Sequence, residues 1–145
     1  MEWGPNSVED TREFIRKAIA FRSENPRTFF ELAVTLRDTG QVIGAAGIRI
    51  KSTLNLSGDM GYTIHPAYWG KGLATEAAKG LIQFGFETLK MHKIWATCRP
   101  ANLASARVLQ KAGMSQEGHL RHEKKVRGEW VDSLQFSILE HDARP

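Results

Sequence analysis

The stretch His65-Pro66-Ala67-Tyr68-Trp69-Gly70-Lys71-Gly72-Leu73-Ala74-Thr75 sets two glycines and a lysine directly ahead of a helix-forming run. A glycine-rich turn that opens a helix leaves backbone N–H groups unpaired at the positive end of the helix dipole, which is anion-binding chemistry. Two familiar phosphate turns fail on spacing. A G-x-x-x-x-G-K-[ST] loop needs glycine at 65 and Ser or Thr at 72, where this chain has His65 and Gly72. A G-x-G-x-x-G turn needs glycine at 75, where it has Thr75. On the glycines alone, a tight turn that lets Trp69 pack accounts for them as well as an anion site does.

Other reactive residue types are sparse. Asn102 and Ser105 share one helix face at i, i+3, and Asn102 is also a good helix cap. The single cysteine, Cys98, excludes an internal disulfide and a CxxC metal site. Its place in the apolar run Ile94-Trp95-Ala96-Thr97-Cys98 reads as a buried strand thiol rather than a nucleophile. His119 and His122, three apart on a strand, point to opposite faces with no third ligand, so no metal site is expected. The net charge of +4 and pI near 9.4 suit a polyanion, either nucleic acid or a phosphate-rich small molecule. The densest basic group, Arg121, Lys124, Lys125 and Arg127, reads as one exposed strand face and not an RNA-binding arm.

The elements that must position these residues follow from periodicity. Ser7 caps a helix with Asp10 three residues on, and Phe14, Ile15, Ala18, Ile19 and Phe21 form its apolar stripe. Asn25-Pro26 ends it. Residues 29–36 and 42–50 read as a hairpin around Asp38-Thr39-Gly40. A polar break at 51–58 precedes a third strand over 59–65, stopped by Pro66. A helix spans 72–89, with Leu73, Ala77, Leu81, Phe84 and Phe86 on its apolar side, and crosses to a parallel strand at 93–98. A helix from Asn102 to Lys111 ends at Ala112-Gly113. The tail, 119–139, forms a hairpin around Arg127-Gly128-Glu129 that buries Leu134, Phe136 and Ile138. This order predicts one α+β domain over residues 1–145. A hydrophobic content of 41% with 25% charged residues argues against disorder. No run approaches the ~20 apolar residues of a membrane span. No signal-peptide pattern opens the chain, so membrane association is not expected and a cytoplasmic location is.

Taken together, Asp59-Met60-Gly61-Tyr62-Thr63-Ile64 with the glycine turn, the run from Asn102 to Met114, and the run from Glu117 to Leu139 resemble the GNAT acetyltransferase superfamily. Within it they resemble the RimJ/RimL-like branch, the N-terminal acetyltransferases of ribosomal proteins. The superfamily signature [Q/R]-x-x-G-x-[G/A] falls on Trp69-Gly70-Lys71-Gly72-Leu73-Ala74, with tryptophan leading as in this branch. The resemblance runs from about Trp3 to the C-terminus. It implies a mixed, mostly antiparallel twisted sheet flanked by helices, with central parallel strands that splay. Against that pattern, the first strand and helix are expected to be missing or shortened.

The resemblance also implies roles. Acetyl-coenzyme A would lie between the strands at 59–65 and 93–98, with its pantetheine arm on backbone groups of Thr63, Ile64 and His65. Its pyrophosphate would sit on the turn formed by Trp69, Gly70, Lys71, Gly72, Leu73, Ala74 and Thr75. Lys71 reads equally as a solvated surface lysine. Asn102 would both cap its helix and bond the coenzyme, with Ser105 beside it. Asp59 aligns with a catalytic glutamate of relatives and is the candidate base. Its alternative is a surface residue beside a Gly58 turn. The N–H near Ile64 would polarise the thioester carbonyl. Many relatives place a tyrosine acid where this chain has Leu109, and no tyrosine follows Tyr68, so that role is missing or falls to Ser105. Trp130 and Asp132 match a recurrent Gly-x-Trp-x-Asp, although one face of a core hairpin explains them equally.

The expected activity is acetyl transfer from acetyl-coenzyme A, without a metal, to a primary amine such as a protein N-terminus. Alternatives are a small-molecule acceptor (a polyamine or antibiotic) and a non-catalytic coenzyme A-binding or nucleic-acid-associated module. Nucleic acid is disfavoured as a partner, and a homodimer is compatible with the reading.

Overall fold

The computed structural model describes residues 6–145, so Trp3 lies outside the described residues. A capping box starts the first helix, α1 (Val8–Phe21): Ser7 Oγ accepts from the Asp10 N–H at 3.1 Å, and the Asp10 carboxylate accepts from the Ser7 N–H at 2.9 Å. The hydroxyl and N–H of Ser7 hold the Asp10 carboxyl below its usual range. The expected apolar stripe is only half used. Phe21 meets Phe29 edge-on at 5.0 Å, while Ile15 and Ile19 stay 50% and 56% exposed.

Six strands form one sheet: β1 (Phe29–Thr35), β2 (Val42–Ser52), β3 (Ser57–Ile64), β4 (Lys93–Cys98), β5 (Ser115–Val126) and β6 (Glu129–Leu139), in the order β1-β2-β3-β4-β6-β5. All neighbours are antiparallel except β3 and β4, which α2 (Leu73–Glu87) joins by a crossover. The expected α+β architecture is therefore present. β2 and β3 run closer to their shared turn than the sequence suggests, so Gly58 is a buried strand residue and not a turn.

α2 packs on the even-numbered side of the central strands, around Ile48, Met60, Ile94, Phe136 and Ile138. Its buried face is Ala78, Leu81, Ile82, Gly85 and Phe86. Leu81 and Phe86 were expected there; Leu73, Ala77 and Phe84 are only half-buried. Leu73, in the first turn of α2, borders a cavity and not the core, whereas Phe84 packs against the rim of the core with its ring edge-on to Phe30. Gly85 permits the close approach: a Cβ there would stand 2.6 Å from Ile94 Cδ1 and 2.8 Å from Ile48 Cδ1. Cys98 is buried, as its apolar run predicts.

β5 departs most from a regular strand. Its register slips between Leu120 and Lys124, where His122 takes a positive φ of 48°. That bulge cancels the period-2 argument that set His119 and His122 on opposite faces. It also divides the basic group: Lys124 borders the central cavity, while Arg121, Lys125 and Arg127 are exposed. Trp130 is 58% exposed under the Lys125 ammonium, so this part of the hairpin is not a core face.

A polarised cavity where β3 and β4 part

β3 and β4 pair only over Ser57–Lys93, Gly58–Ile94 and Asp59–Trp95. Beyond Asp59 and Trp95 the two strands separate, and a cavity of about 920 Å³ fills the gap. It reaches both faces of the sheet. On one side lie residues of β1, β2 and β3 that register places in rows: Phe29, Arg49 and Asp59 in one, Glu31, Gly47 and Gly61 in the next. On the other side lie Tyr62, the turn ahead of α2, and Asn102 and Ser105 of the third helix, α3 (Leu103–Lys111).

The two glycines form a tight turn, but not one that packs Trp69. Gly70 and Gly72 have φ of 73° and 76°, and the space a Cβ would occupy is open at both. Gly72 caps α2 without a side chain, so no side-chain oxygen competes for the first N–H groups of the helix. Trp69 does not pack into the molecule. Its ring is 62% exposed, and its indole N–H donates to the Ile64 carbonyl at 2.7 Å, tying the turn to the end of β3. Thr63, Ile64, Trp69, Gly70, Gly72, Leu73, Ala74, Thr75, Asn102, Ser105 and Asp59 all border the cavity.

His65 and Lys71 do not. The His65 N–H donates to the Ile43 carbonyl at 2.7 Å and its Nδ1 accepts from Ala67. The Lys71 ammonium sits 5.4 Å over the Tyr68 ring. The expectation of free backbone groups at 63–65 is thus corrected at two atoms, the His65 N–H and the Ile64 carbonyl, which protein partners already occupy.

Asn102 caps α3 by accepting from the Ser105 N–H at 3.0 Å. The Ser105 hydroxyl lies 3.3 Å from the Tyr62 hydroxyl. Leu109 is 1% exposed within the core. Asp59 is half-buried and is not the surface residue of its alternative reading; its Oδ1 is buried without a hydrogen-bond partner, as is Arg99 Nε at the same cavity. Burial raises the Glu31 carboxyl above its usual range, against the opposing charge of Arg49. Burial likewise raises the Tyr62 phenol, opposed by its Ser105 bond and reinforced by Cys98.

Sequence reasoning missed Glu31, Arg49 and Tyr62 here. The signal available was strand alternation: Asp59, Gly61 and Thr63 share a face, and antiparallel register brings Arg49 and Gly47 beside them. Asp132 was read as a hairpin residue; its carboxylate binds the His122 N–H at 2.9 Å and His119 Nε2 at 2.8 Å, bracing the β5 bulge. These bonds hold its carboxyl below the usual range. A second imidazole cluster was also missed. His92 Nδ1 lies 2.9 Å and His141 Nε2 3.4 Å from Glu140 Oε1, all exposed, at the end of the sheet where β3 and β4 remain paired. Among the described residues, no helix is long and apolar enough to cross a membrane.

Comparison with known proteins gives this geometry a context. Residues 1–115 match the family model described as acetyltransferase (GNAT) domain. An uncharacterized N-acetyltransferase of Bacillus subtilis (strain 168), YnaD, is 33% identical over 145 residues, covering 98% of this chain and 81% of its own. The spermidine N(1)-acetyltransferase of Escherichia coli (strain K12) is 36% identical over 78 residues, 54% of this chain and 42% of its own. The structure of Mycobacterium smegmatis RimJ in complex with CoA-disulfide superposes with a TM-score of 0.82 at 26% identity, covering 92% of this chain and 62% of that one.

Proposed function

The chain belongs to the GNAT acetyltransferase family and is an N-acetyltransferase; on that premise we propose that the cavity between β3 and β4 holds acetyl-coenzyme A and presents it to a primary amine deprotonated by Asp59. Acetyl-coenzyme A supplies an acetyl group activated as a thioester. The cavity suits it in size, since drug-sized ligands occupy ~300–1,000 Å³. The turn suits it in chemistry. Left-handed Gly70 and Gly72 keep side chains out of the approach and leave the first N–H groups of α2 for the pyrophosphate. Asn102 and Ser105 border the same cavity from α3 and hold the pantetheine arm there.

The observation that carries the reading is the buried, unpartnered Oδ1 of Asp59 at the point where the strands part. A buried carboxylate oxygen without a partner is costly, and a proton-bearing nitrogen of the acceptor satisfies it. Asp59 orients the amine and takes its proton as nitrogen attacks. The space above Gly61 is open, while the Glu31 carboxylate lies over Gly47, so the acceptor reaches Asp59 across Gly61 with Glu31 at its side.

For the acceptor we adopt a protein N-terminal amine of the RimJ/RimL-like kind. With a pKa near 8, such an amine is partly neutral at physiological pH and asks little of a base. A small polyamine is the second reading, favoured by Glu31. Its half-buried carboxylate lies on the same face as Asp59, where a second cationic centre would relieve its burial cost. The test is release of free coenzyme A from acetyl-coenzyme A with a panel of N-terminal peptides, spermidine and aminoglycosides. Turnover confined to peptides supports the first reading. Turnover confined to spermidine, lost in Glu31→Gln, supports the second.

A further inference from the structure

We propose that Tyr62 is the proton donor to the departing sulfur, with Ser105 holding its hydroxyl in place; this rests on the acetyl-transfer reading above. Strand alternation supplies the first argument. Asp59 and Tyr62 lie on opposite faces of β3, yet both border one cavity, because β4 leaves β3 just beyond Asp59. Amide formation requires one proton off nitrogen and one onto sulfur. A strand with a carboxylate on one face and a phenol on the other, opening into one gap, supplies both at separate places.

Acidity then chooses between the two hydroxyls that meet at 3.3 Å. A phenol near pKa 10 lies close to a thiol near 8.5. The alkyl hydroxyl of Ser105 is a far weaker acid, so its proton moves to a thiolate only at much greater cost. Efficient proton transfer favours the matched partner. Burial pushes the Tyr62 phenol up and so favours its protonated form. Cys98 is the titratable neighbour that acts on it, and Asp59, Arg99 and Arg107 border the same cavity.

No other phenol competes. The chain has two tyrosines, and the Tyr68 hydroxyl donates to Gln41 Oε1 at 3.3 Å. Position 109, where α3 could offer one, is a core leucine. Ser105 is itself fixed, because its N–H is held by the Asn102 cap.

The step balances. The acceptor nitrogen bonds to the acetyl carbon as Asp59 takes its proton, and the carbon–sulfur bond breaks with its electron pair left on sulfur. Tyr62 gives its proton to that sulfur. One proton then passes through solvent from the Asp59 carboxyl to the Tyr62 phenolate, restoring both groups.

The experiment compares Tyr62→Phe, which keeps the ring, with Ser105→Ala. Turnover should fall about 100-fold in Tyr62→Phe and less than about 10-fold in Ser105→Ala. Coenzyme A affinity by calorimetry should stay within about twofold of wild type in Tyr62→Phe. Independently of turnover, ultraviolet titration of bound coenzyme A should show its thiol pKa raised by about one unit in Tyr62→Phe, because the thiolate has lost a donor. Turnover of Tyr62→Phe within about threefold of wild type, or a larger loss in Ser105→Ala, overturns the assignment. A wild-type protein that binds no coenzyme A overturns the underlying reading and this one with it, a result visible before any variant is made.

Discussion

At the scale of single residues, the cavity leaves the buried Oδ1 of Asp59 without a protein partner, and the proposed base falls on that atom. Asp59→Asn keeps the shape but removes the proton acceptor, so turnover should fall about 10- to 100-fold. The rate profile should also shift toward higher pH, because solvent must then deprotonate the amine. Rates measured against pH with one active acceptor decide this; superimposable profiles would remove Asp59 from the mechanism. Gly72 makes a complementary case. At φ 76° with open space around its missing Cβ, it tolerates change structurally better than chemically. Gly72→Asp sets a carboxylate where the pyrophosphate is proposed to lie, and aspartate is among the residues that accept the left-handed region. Coenzyme A affinity should therefore collapse while circular dichroism stays native. Unchanged affinity would move the phosphates elsewhere.

At the scale of elements, the proposed site would give the Asn102 cap a second job. α3 starts at Asn102, whose side chain holds the Ser105 N–H. Asn102→Ala should cost about 1 kcal/mol of stability, read as a lower denaturation midpoint. If Asn102 also bonds the coenzyme, affinity should drop further than that loss explains. Asn102→Asp retains the cap, so it should keep stability and separate the two effects. Coenzyme A binding at wild-type strength in a destabilised Asn102→Ala protein would leave the cap as the residue's whole role. The glycine-capped α2 contrasts with this. It has no side chain at its N-cap, so no capping side chain binds its first N–H groups.

At the scale of the whole molecule, the site and stability pull against each other. Glu31 lies half-buried beside the cavity, and desolvation raises its pKa above the ordinary 4.5, more than Arg49 lowers it. Folding then binds a proton that the unfolded chain releases, so this group costs stability above that range, and its cost fades as pH falls below it. Glu31→Gln should accordingly unfold at higher denaturant than wild type at neutral pH, with the difference vanishing below about pH 4.5. Equal midpoints at neutral pH would mean that water or Arg49 fully compensates the burial. Glu117 has the opposite sign. Gln135, Lys93 and Ser137 bind its carboxylate and hold its pKa down, so its stabilisation is present above the ordinary carboxylate range and is lost as pH falls through the lowered value.

Caps, the glycine turn and the order of elements were legible in the sequence. Ser7 and Asn102 announced their caps, the paired glycines a tight turn, and the apolar run ending in Cys98 a buried strand; each depends on neighbours within a few residues. The parallel β3–β4 pair followed from the same local signals, since a helix between two strands dictates a crossover. Tertiary structure alone decided what crosses the sheet. The row of Phe29, Arg49 and Asp59 joins three strands, and the Tyr62–Ser105 contact spans 43 residues of sequence. The exposure of Ile15, Ile19 and Trp69 depends on what the rest of the chain lays over them, and the β5 bulge on where Asp132 falls in the partner strand. Caps and turns are set by hydrogen bonds a few residues long, whereas a cavity is the space left when distant strands part, and no window of sequence contains both of its walls.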